Sequence, residues 1–448
     1  MNRFAIGDRR LAARGEWVLD RMVETGSTVL HRLGGGRAGE VALQRYLSSP
    51  HVTPAGIVET FSARTQDACR KRRVVAVQDT TEINFSGRSA ARQELGPGGD
   101  GSSPGLFIHP VVAVDAEDEA VLGLVHAQIW TRQAERVSSR RKRPLEEKES
   151  ARWLEGSRAS AERLAGAAQV VGVSDREGDV YAHFARRPEG IELIVRAAQD
   201  RALAEGGLLF AAPREWDVLL TTSVRVAPRG PGDKGRTAAV ALRAKPVRLK
   251  RPRNGGEPRD PAVIELGLVE VREVDAPPGV KPVSWLLLTT LPVTSPEAAA
   301  EVVRLYRLRW RIEQVFRALK SEGLRLEDSQ VHEAERLFRL SALALGAAVR
   351  TLQLVDARDG SRRPMSDVLD ADLVEAVAVI GRTKERATER QKNHHPKGSL
   401  AWLAWIVARF GGWNCYGKPP GPKTMAIGWT AFEATLTGFL IAQREALP

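Results

Sequence analysis

Two short apolar runs, each ending in an aspartate, decide the fold that the sequence predicts. The first is Val74-Val75-Ala76-Val77, which continues into Gln78-Asp79-Thr80-Thr81. The second is Gln169-Val170-Val171-Gly172-Val173-Ser174, which is followed directly by Asp175. A strand that is apolar on both faces is typical of the buried centre of a sheet. The two runs therefore predict an α/β fold with an acidic side chain at the carboxyl end of each of two central strands.

Composition places the chain among globular proteins and gives it a basic character. It has 448 residues, 43% of them hydrophobic and 27% charged, so we expect a folded chain of about three domains. The net charge of +12 and the pI near 10.0 indicate a polyanionic partner, most simply nucleic acid. An anionic membrane surface is the competing partner, but no uninterrupted apolar run is long enough to predict a spanning helix.

Other features of the sequence narrow the class of protein. Two cysteines, Cys69 and Cys415, are too few for a disulfide framework or a thiolate zinc site. The first twenty residues are rich in charge and contain no apolar signal-peptide core, so we expect a cytoplasmic protein. The stretch Gly412 to Lys418 resembles a phosphate-binding loop, but Pro419 stands where that loop needs a Ser or Thr.

The character of the chain changes along its length. Residues 1 to about 65 predict short helices, with Asp8 as one N-cap and Thr53-Pro54 as another helix start. Runs at 107–114 and 120–129 are spaced like antiparallel strands, and residues 200–290 are again strand-rich, with runs at 218–226, 238–242, 263–271 and 283–288. Within them, residues 229–253 hold nine basic residues and one acidic residue, which suggests a basic loop. After Pro296 the pattern is helical.

A helix predicted from about Pro296 to Leu319 adds a third element to the two aspartates. At about 100° per residue, its polar side chains fall within an arc of roughly 80°, which makes a single stripe. The stripe consists of Tyr306, Arg309, Glu313, Arg317 and Lys320. Apolar residues on the neighbouring face would pack against a sheet. The helix thus presents one carboxylate among groups that suit phosphate binding.

Two interpretations of these acidic residues remain open. A strand-end aspartate is most often a turn residue, and the stripe could be a solvated face with ion pairs of Glu313, worth only tenths of a kcal/mol. Alternatively, two strand-end aspartates and one helix glutamate are what a two-metal phosphoryl-transfer site requires. Carboxylate oxygens suit Mg²⁺ or Mn²⁺, and nearby Arg and Lys would hold a phosphodiester backbone.

At these residues the sequence resembles the bacterial DDE transposases of the insertion sequence 4 family, and most closely the transposon 5-like subgroup. The resemblance rests on residues 77–81 and 174–179 and on the Tyr306-x2-Arg309-x3-Glu313-x6-Lys320 spacing. Arg317 departs from the Lys that relatives often carry. Supporting stretches include residues 7–10, 147–150, 285–289, 398–400 and 408–412. The similarity extends over nearly the whole chain.

The resemblance implies an RNase H-like catalytic core that is interrupted by a β-rich insertion at about 200–290. In the implied plan this core spans residues 66–365. An N-terminal helical DNA-binding domain covers residues 1–65, and a C-terminal helical dimerisation domain covers residues 366–448. The 138 positions between Asp175 and Glu313 leave room for the insertion.

The implied activity is metal-dependent cut-and-paste DNA transposition. It comprises nicking at the transposon ends, formation and opening of a DNA hairpin, and strand transfer into target DNA. Asp79, Asp175 and Glu313 are the implied catalytic residues and would bind two Mg²⁺ or Mn²⁺ ions per active site. Double-stranded DNA, as terminal repeats and as target, is the implied partner. Two protomers would form a homodimer in the paired-end complex, within the bacterial nucleoid.

Further residues receive DNA-binding roles. Tyr306, Arg309, Arg317 and Lys320 are expected to grip the transferred strand, and Arg196 is a weaker candidate that the resemblance implies. Trp285 lies 21 positions before Tyr306, as the equivalent Trp does in the subgroup, where it stacks on a flipped base. Core burial explains Trp285 equally well. Arg10 and Arg14 are expected to contact the transposon end.

Alternatives from other classes are a non-catalytic repressor derived from a transposase and an RNase H-like nuclease. A repressor need not keep all three carboxylates, whereas all three are present here. Dimerisation is expected through the C-terminal helices, where apolar residues recur at helical spacing. These residues are Leu400, Leu403, Ile406, Val407 and Phe410. Packing within one subunit explains their spacing equally well.

Overall fold

The computed structural model describes residues 8–85, 94–99, 103–132, 145–226, 235–253, 257–320, 323–360 and 363–445. The α-helices in these ranges are α1 (Arg9–Thr25), α2 (Leu30–Gly34), α3 (Arg37–Ser48), α4 (Pro54–Ala68), α5 (Ala151–Arg163), α6 (Tyr181–Ala185), α7 (Pro296–Arg307), α8 (Trp310–Leu319), α9 (Ala334–Ala357), α10 (Val374–Arg382), α11 (Leu400–Phe410) and α12 (Pro422–Glu445). The strands are β1 (Arg73–Gln78), β2 (Thr81–Asn84), β3 (Gly105–Asp115), β4 (Val121–Trp130), β5 (Gln169–Ser174), β6 (Glu192–Arg196), β7 (Leu220–Val226), β8 (Arg236–Lys250), β9 (Val263–Glu273) and β10 (Ser284–Thr289). The mixed α/β class predicted from the sequence is confirmed.

The chain divides into two compact units, which we name by their content. The β-rich unit comprises Arg73–Asp79 and Arg136–Trp310. The helical unit comprises Met1–Arg72, Thr80–Glu135 and Arg311–Pro448. The three-domain division at residues 65 and 365 stays a prediction.

The β-rich unit is built on a mixed sheet in the order β1-β5-β6-β10-β9-β8-β7. The pairs β1–β5 and β5–β6 are parallel, and the pairs from β6–β10 to β7–β8 are antiparallel. β1 and β5 are buried from their second residue onwards, as expected for central strands. Helix α5 packs against β1 and β5, and α7 packs against the later strands.

The strand-rich character of residues 200–290 agrees with four strands between Leu220 and Thr289, but the expected basic loop is wrong for the described residues. Most of that stretch is strand β8, because small and apolar residues alternate among its basic ones. Pro246 is tolerated there because β7 pairs with β8 only as far as Leu242, and on that side of β8 the next backbone bonds are those of Ala202 and Ala204 with Lys250 and Arg248. Positions 229–234 lie outside the described residues.

The helical unit is organised around α9, which is almost entirely buried. Helices α1, α4, α11 and α12 pack against it, and so does β4. Strands β3 and β4 form the expected antiparallel pair, and β2 pairs with β3. Both predicted helix starts are confirmed: Asp8 accepts hydrogen bonds from the N–H groups of Arg10 and Leu11, and Thr53 accepts one from Gly56.

Two helices in the described part of the chain could cross a membrane by length and composition alone. They are Ala334–Ala357 and Pro422–Gln443. The first is mostly buried inside the fold, and a buried core helix passes the same test. These helices are therefore weak evidence for a membrane span.

Candidate functional site

Asp79 and Asp175 lie side by side at the carboxyl ends of two neighbouring strands in the β-rich unit. β1 and β5 are parallel neighbours, and Val77 is paired with Val173. Each aspartate follows its paired valine by two positions, so both carboxylates leave the carboxyl ends of adjacent strands. Neighbouring strands are about 4.8 Å apart, which brings two acidic groups within reach of one common ligand.

Arg309 is the cationic partner of the first aspartate. Its Nη1 lies 2.8 Å from Oδ2 of Asp79, and both side chains are largely shielded from water. The helix that the sequence predicts here is broken at this residue: it ends as α7 at Arg307 and resumes as α8 at Trp310.

The break comes from two tight turns. The N–H groups of Leu308 and Arg309 bond to carbonyls three residues back, those of Leu305 and Tyr306. Hydrogen bonds of this spacing wind the chain more tightly than an α-helix. The continuous helix predicted from about Pro296 to Leu319 is therefore wrong, and the roles predicted for Tyr306 to Lys320 stay predictions.

The turn after β5 holds its carboxylates in different ways. Asp175 caps a short 3₁₀ turn, and its Oδ1 accepts the Glu177 N–H at 2.9 Å. Asp179 is buried, and its oxygens accept from Ala198 N–H, Gln199 N–H and Arg201 at 2.6–2.8 Å. Both oxygens of Asp179 are therefore used to hold the turn.

A chain of buried hydrogen bonds links the segments that carry the two aspartates. The side-chain nitrogen Nε2 of Gln78 donates to Ser157 Oγ at 3.2 Å. Ser157 Oγ in turn lies 2.8 Å from His183 Nε2. His183 Nδ1 lies 3.2 Å from the carbonyl oxygen of Gly178. Because that carbonyl can only accept, Nδ1 carries the proton and Nε2 accepts from Ser157. Burial lowers the pKa of His183 to about 4, so the ring is neutral.

Trp285, Tyr306 and Arg196 form a packed group in the same unit. The rings of Trp285 and Tyr306 are 5.5 Å apart at an interplanar angle of 60°. Tyr306 is buried and hydrogen-bonds Arg196, and burial raises the pKa of its hydroxyl. The charge of Asp175 also acts on that hydroxyl. Trp285 is only partly buried, so part of its side chain is open to solvent.

Glu313, Arg317 and Lys320 belong to the helical unit. They lie at or just beyond α8 with spacings of four and three residues, which place them on one face. Arg317 is exposed, and Lys320 lies 4.0 Å from Glu327. Within the described residues, no group of three or more His, Cys, Asp or Glu side chains is placed to hold a metal ion.

The aspartate pair nevertheless fits a hard divalent cation by the chemistry of its donors. Carboxylate oxygens are the ligands that Mg²⁺ and Mn²⁺ prefer. Asp175 is partly exposed and has used Oδ1 for a backbone N–H. Asp79 pairs with the guanidinium group of Arg309. A third carboxylate would be needed to complete such a site, and Glu313 is the candidate from the sequence.

The remaining sequence candidates have clear positions. Arg10 and Arg14 are exposed and four residues apart on α1, with the Arg14 guanidinium 5.0 Å from the Trp17 ring. The apolar residues expected to form a dimer interface are, by contrast, largely buried within the chain. Leu400, Leu403, Ile406 and Val407 are at most 1% exposed, because α11 packs against α9 and α12. Their spacing therefore reflects core packing.

Sequence reasoning missed the residues that support the aspartates. Ser157, His183 and Arg201 are distant from them in the chain and carry no motif. The partial signal was the acidic residue Asp179 in the turn itself. Its partner Arg201 could not be identified without knowing that the end of β6 lies beside that turn.

A known protein family matches the central part of this chain. A family described as the transposase DDE domain matches residues 108–350, just over half of the chain. The match includes Asp175 and Glu313 and begins after Asp79. Membership implies a DNA substrate and nuclease chemistry of the transposase type. The chain belongs to the DDE transposase family.

Proposed function

We propose that this protein is a cut-and-paste DNA transposase of the insertion sequence 4 family, related to the transposon 5-like subgroup. The observation that carries the proposal is the pair of aspartates at the ends of adjacent parallel strands, Asp79 and Asp175. Family membership supports the reaction class. The Tyr306 to Lys320 motif supports the subgroup.

Asp79, Asp175 and Glu313 are assigned as the residues that hold two Mg²⁺ or Mn²⁺ ions. Two such ions, when bound, assist the attacking and leaving oxygens of an in-line displacement. Arg309 fixes the direction of the Asp79 carboxylate through its 2.8 Å contact. The buried bonds from Gln78 to Gly178 hold the two strand ends in register. Positioning of this kind is a large part of phosphoryl-transfer catalysis.

Arg317 and Lys320 are assigned to the phosphates of the transferred strand, since Arg317 is exposed and Lys320 is partly exposed, with its contact to Glu327 as long as 4.0 Å. Tyr306 is buried, so we assign it to supporting Arg196 and Trp285 rather than to touching DNA. Trp285 is assigned to stacking on a flipped base. Arg10 and Arg14 are assigned to the terminal repeat.

The working form is a homodimer that pairs two transposon ends in the bacterial cytoplasm, at the nucleoid. The positive net charge supports binding of DNA by two protomers together. The apolar face of α11 is used inside the subunit. The pairing surface is therefore assigned to other residues of the C-terminal region.

The experiment uses purified full-length protein, Mg²⁺ and a duplex that carries a terminal repeat from the ends of its element. We expect nicking, a hairpin on the transposon end and joining to a target duplex, all resolved on denaturing gels. Asp79→Asn should abolish cleavage and leave DNA binding largely intact, because phosphate neutralisation by Lys and Arg supplies most of the affinity. Full cleavage by this variant would overturn the assignment.

Glu177→Gln is the matched control for Asp79→Asn. Glu177 is an exposed acid in the turn after β5, and it forms an ion pair with Arg152 at 2.6 Å. Its loss should leave cleavage within a few-fold of wild type, since exposed ion pairs contribute little to stability.

A repressor would bind the repeat without cleaving it. A structure-selective nuclease would cleave DNA without joining it to a target.

A further inference from the structure

The segment between α10 and α11 concentrates positive charge on the helical unit. Residues 382–397 contain six basic and two acidic residues, a net charge of +4. The acidic residues do not neutralise this charge evenly. Lys392 pairs with Glu389, and Lys397 pairs with Glu375 at 2.7 Å. Among the described residues, Arg382, Arg386 and Arg390 form no ion pair, and all three are exposed.

A second loop, residues 411–421, is joined to this segment by several hydrogen bonds. Tyr416 Oη lies 3.1 Å from Thr388 Oγ1, and the Arg390 guanidinium lies 5.7 Å from the Tyr416 ring centre. Arg409 connects the two stretches because it donates to the carbonyl oxygens of both Lys384 and Trp413. The two loops therefore form one continuous surface.

The second loop holds an aromatic side chain out towards water. Tyr416 is 42% exposed, and its N–H donates to Asn414 Oδ1 at 2.9 Å. Cys415 between them has a φ of 70°, the left-handed region that few non-glycine residues adopt. The loop contains no acidic residue. This conformation fixes the exposed ring beside cations before any partner binds.

Like charges gather in this region. Burial lowers the pKa of Lys384, and the nearby positive charges of Arg386 and Arg409 lower it further. The Lys384 amine sits 3.7 Å from the centre of the Phe410 ring. Such crowding of cations is unfavourable in the free protein, and a polyanion would relieve it. We define the C-terminal basic surface as Arg382, Lys384, Arg386, Arg390, Tyr416 and Lys418.

We propose that the C-terminal basic surface binds the backbone phosphates of duplex DNA as a second contact, separate in sequence from the residues assigned to cleavage. The proposal rests on the proposed function. Exposed arginines without acidic partners suit phosphate oxygens, and a tyrosine hydroxyl beside them is another common phosphate contact. Membership of a transposase family implies a DNA substrate, so DNA rather than an anionic membrane is the partner proposed for this surface.

The test compares two double variants that each remove two positive charges from the same segment. Arg386→Ala/Arg390→Ala removes cations without acidic partners, whereas Lys392→Ala/Lys397→Ala removes cations that are paired with glutamates. Binding to a terminal-repeat duplex is measured at several salt concentrations without divalent metal. The slope of log affinity against log salt should flatten by about two units in the arginine variant and by less than half of that in the lysine variant.

One further double variant and the wild type separate the possible outcomes. Arg386→Lys/Arg390→Lys keeps both charges and should keep the wild-type slope, which shows that the segment still folds. Equal slopes for Arg386→Ala/Arg390→Ala and Lys392→Ala/Lys397→Ala would overturn the proposal. It would also be overturned if Arg386→Ala/Arg390→Ala lost binding to phosphatidylserine vesicles while its DNA binding stayed unchanged. Wild-type protein that neither binds nor cleaves the repeat would instead overturn the proposed function.

Discussion

Asp175 and Asp179 lie four positions apart, and their surroundings give them opposite uses. Both oxygens of Asp179 accept hydrogen bonds, from Arg201 and from two backbone N–H groups. Its negative charge is therefore compensated inside the fold. Asp175 is partly exposed and uses Oδ1 to cap the turn. A buried carboxylate with this many donors is a structural anchor. Of these two aspartates, Asp175 is thus the one that can meet a ligand.

His183 makes stability depend on pH. Its pKa is lowered to about 4 by burial, so the folded state binds fewer protons than the unfolded state around pH 5. The stabilisation is complete above the ordinary histidine pKa of about 6.5 and is lost as pH falls towards 4, up to about 3 kcal/mol. Urea unfolding at pH 7.5, 6 and 5 should show this loss.

Replacing the ring separates this effect from general acid sensitivity. His183→Gln cannot titrate and should show a smaller fall in the free energy of unfolding between pH 7.5 and 5 than wild type. His394→Gln changes an exposed histidine and should follow the wild-type curve. Identical pH dependence in wild type and His183→Gln would contradict the assignment of a buried neutral ring.

Trp285 gives a prediction about the order of chemical steps. Its ring centre lies 5.5 Å from that of Tyr306 and the side chain is only partly buried, so a flipped base would reach the exposed part of the side chain. Stacking is worth about 1–3 kcal/mol per base and would offset part of the cost of flipping. Trp285→Ala should therefore still nick the transposon end and accumulate nicked DNA, with hairpin formation slowed about tenfold or more.

Trp216→Ala is the matched control for Trp285→Ala. Trp216 is also a partly buried tryptophan of the β-rich unit, in contact with Lys245. Its loss should lower stability without changing the ratio of nicked to hairpin product. If Trp285→Ala slows nicking and hairpin formation equally, Trp285 is a packing residue and the base-flipping role is wrong.

At the scale of elements, the sequence predicted the two central strands but not the interruption of the helix at Leu308. β1 and β5 were predictable because their apolar runs are continuous, and the caps at Asp8 and Thr53 were predictable from residue type. The break at Leu308 contains no Gly or Pro, so no local signal marked it. The candidate aspartates were therefore found, whereas the Arg309–Asp79 contact was not.

The packing of α4 on α9 depends on a glycine. A Cβ atom at Gly346 would overlap the Phe61 ring, whereas one at Gly438 on α12 would meet nothing. Gly346→Ala should therefore destabilise the protein by about 1–3 kcal/mol, the usual cost of overpacking. Gly438→Ala should stabilise it by roughly 0.5–1 kcal/mol through helix propensity. Thermal unfolding of both variants measures this; equal melting temperatures would contradict close α4–α9 packing.

At the scale of the whole molecule, sequence periodicity could not say which apolar faces are internal. Residues 400–410 have the spacing that a dimer interface and a core share, and only the packing of α11 against α9 and α12 distinguishes them. Likewise, the sequence predicted only residues 238–242 of β8 as a strand, because basic residues dominate the composition of the rest while its small and apolar residues determine the strand. Both the burial of α11 and the extent of β8 depend on contacts between residues that are far apart in the sequence.

The last prediction concerns α11. Leu403 is fully buried, so Leu403→Asp would place an unpaired charge in the core and should destabilise the protein by more than about 4 kcal/mol. Ile441→Asp changes a 54% exposed residue of α12 and should fold normally. Circular dichroism and sedimentation, without and with terminal-repeat duplexes, measure folding and pairing. A Leu403→Asp protein that folds but fails to pair two ends would return α11 to the dimer interface, because a core position does not tolerate that charge.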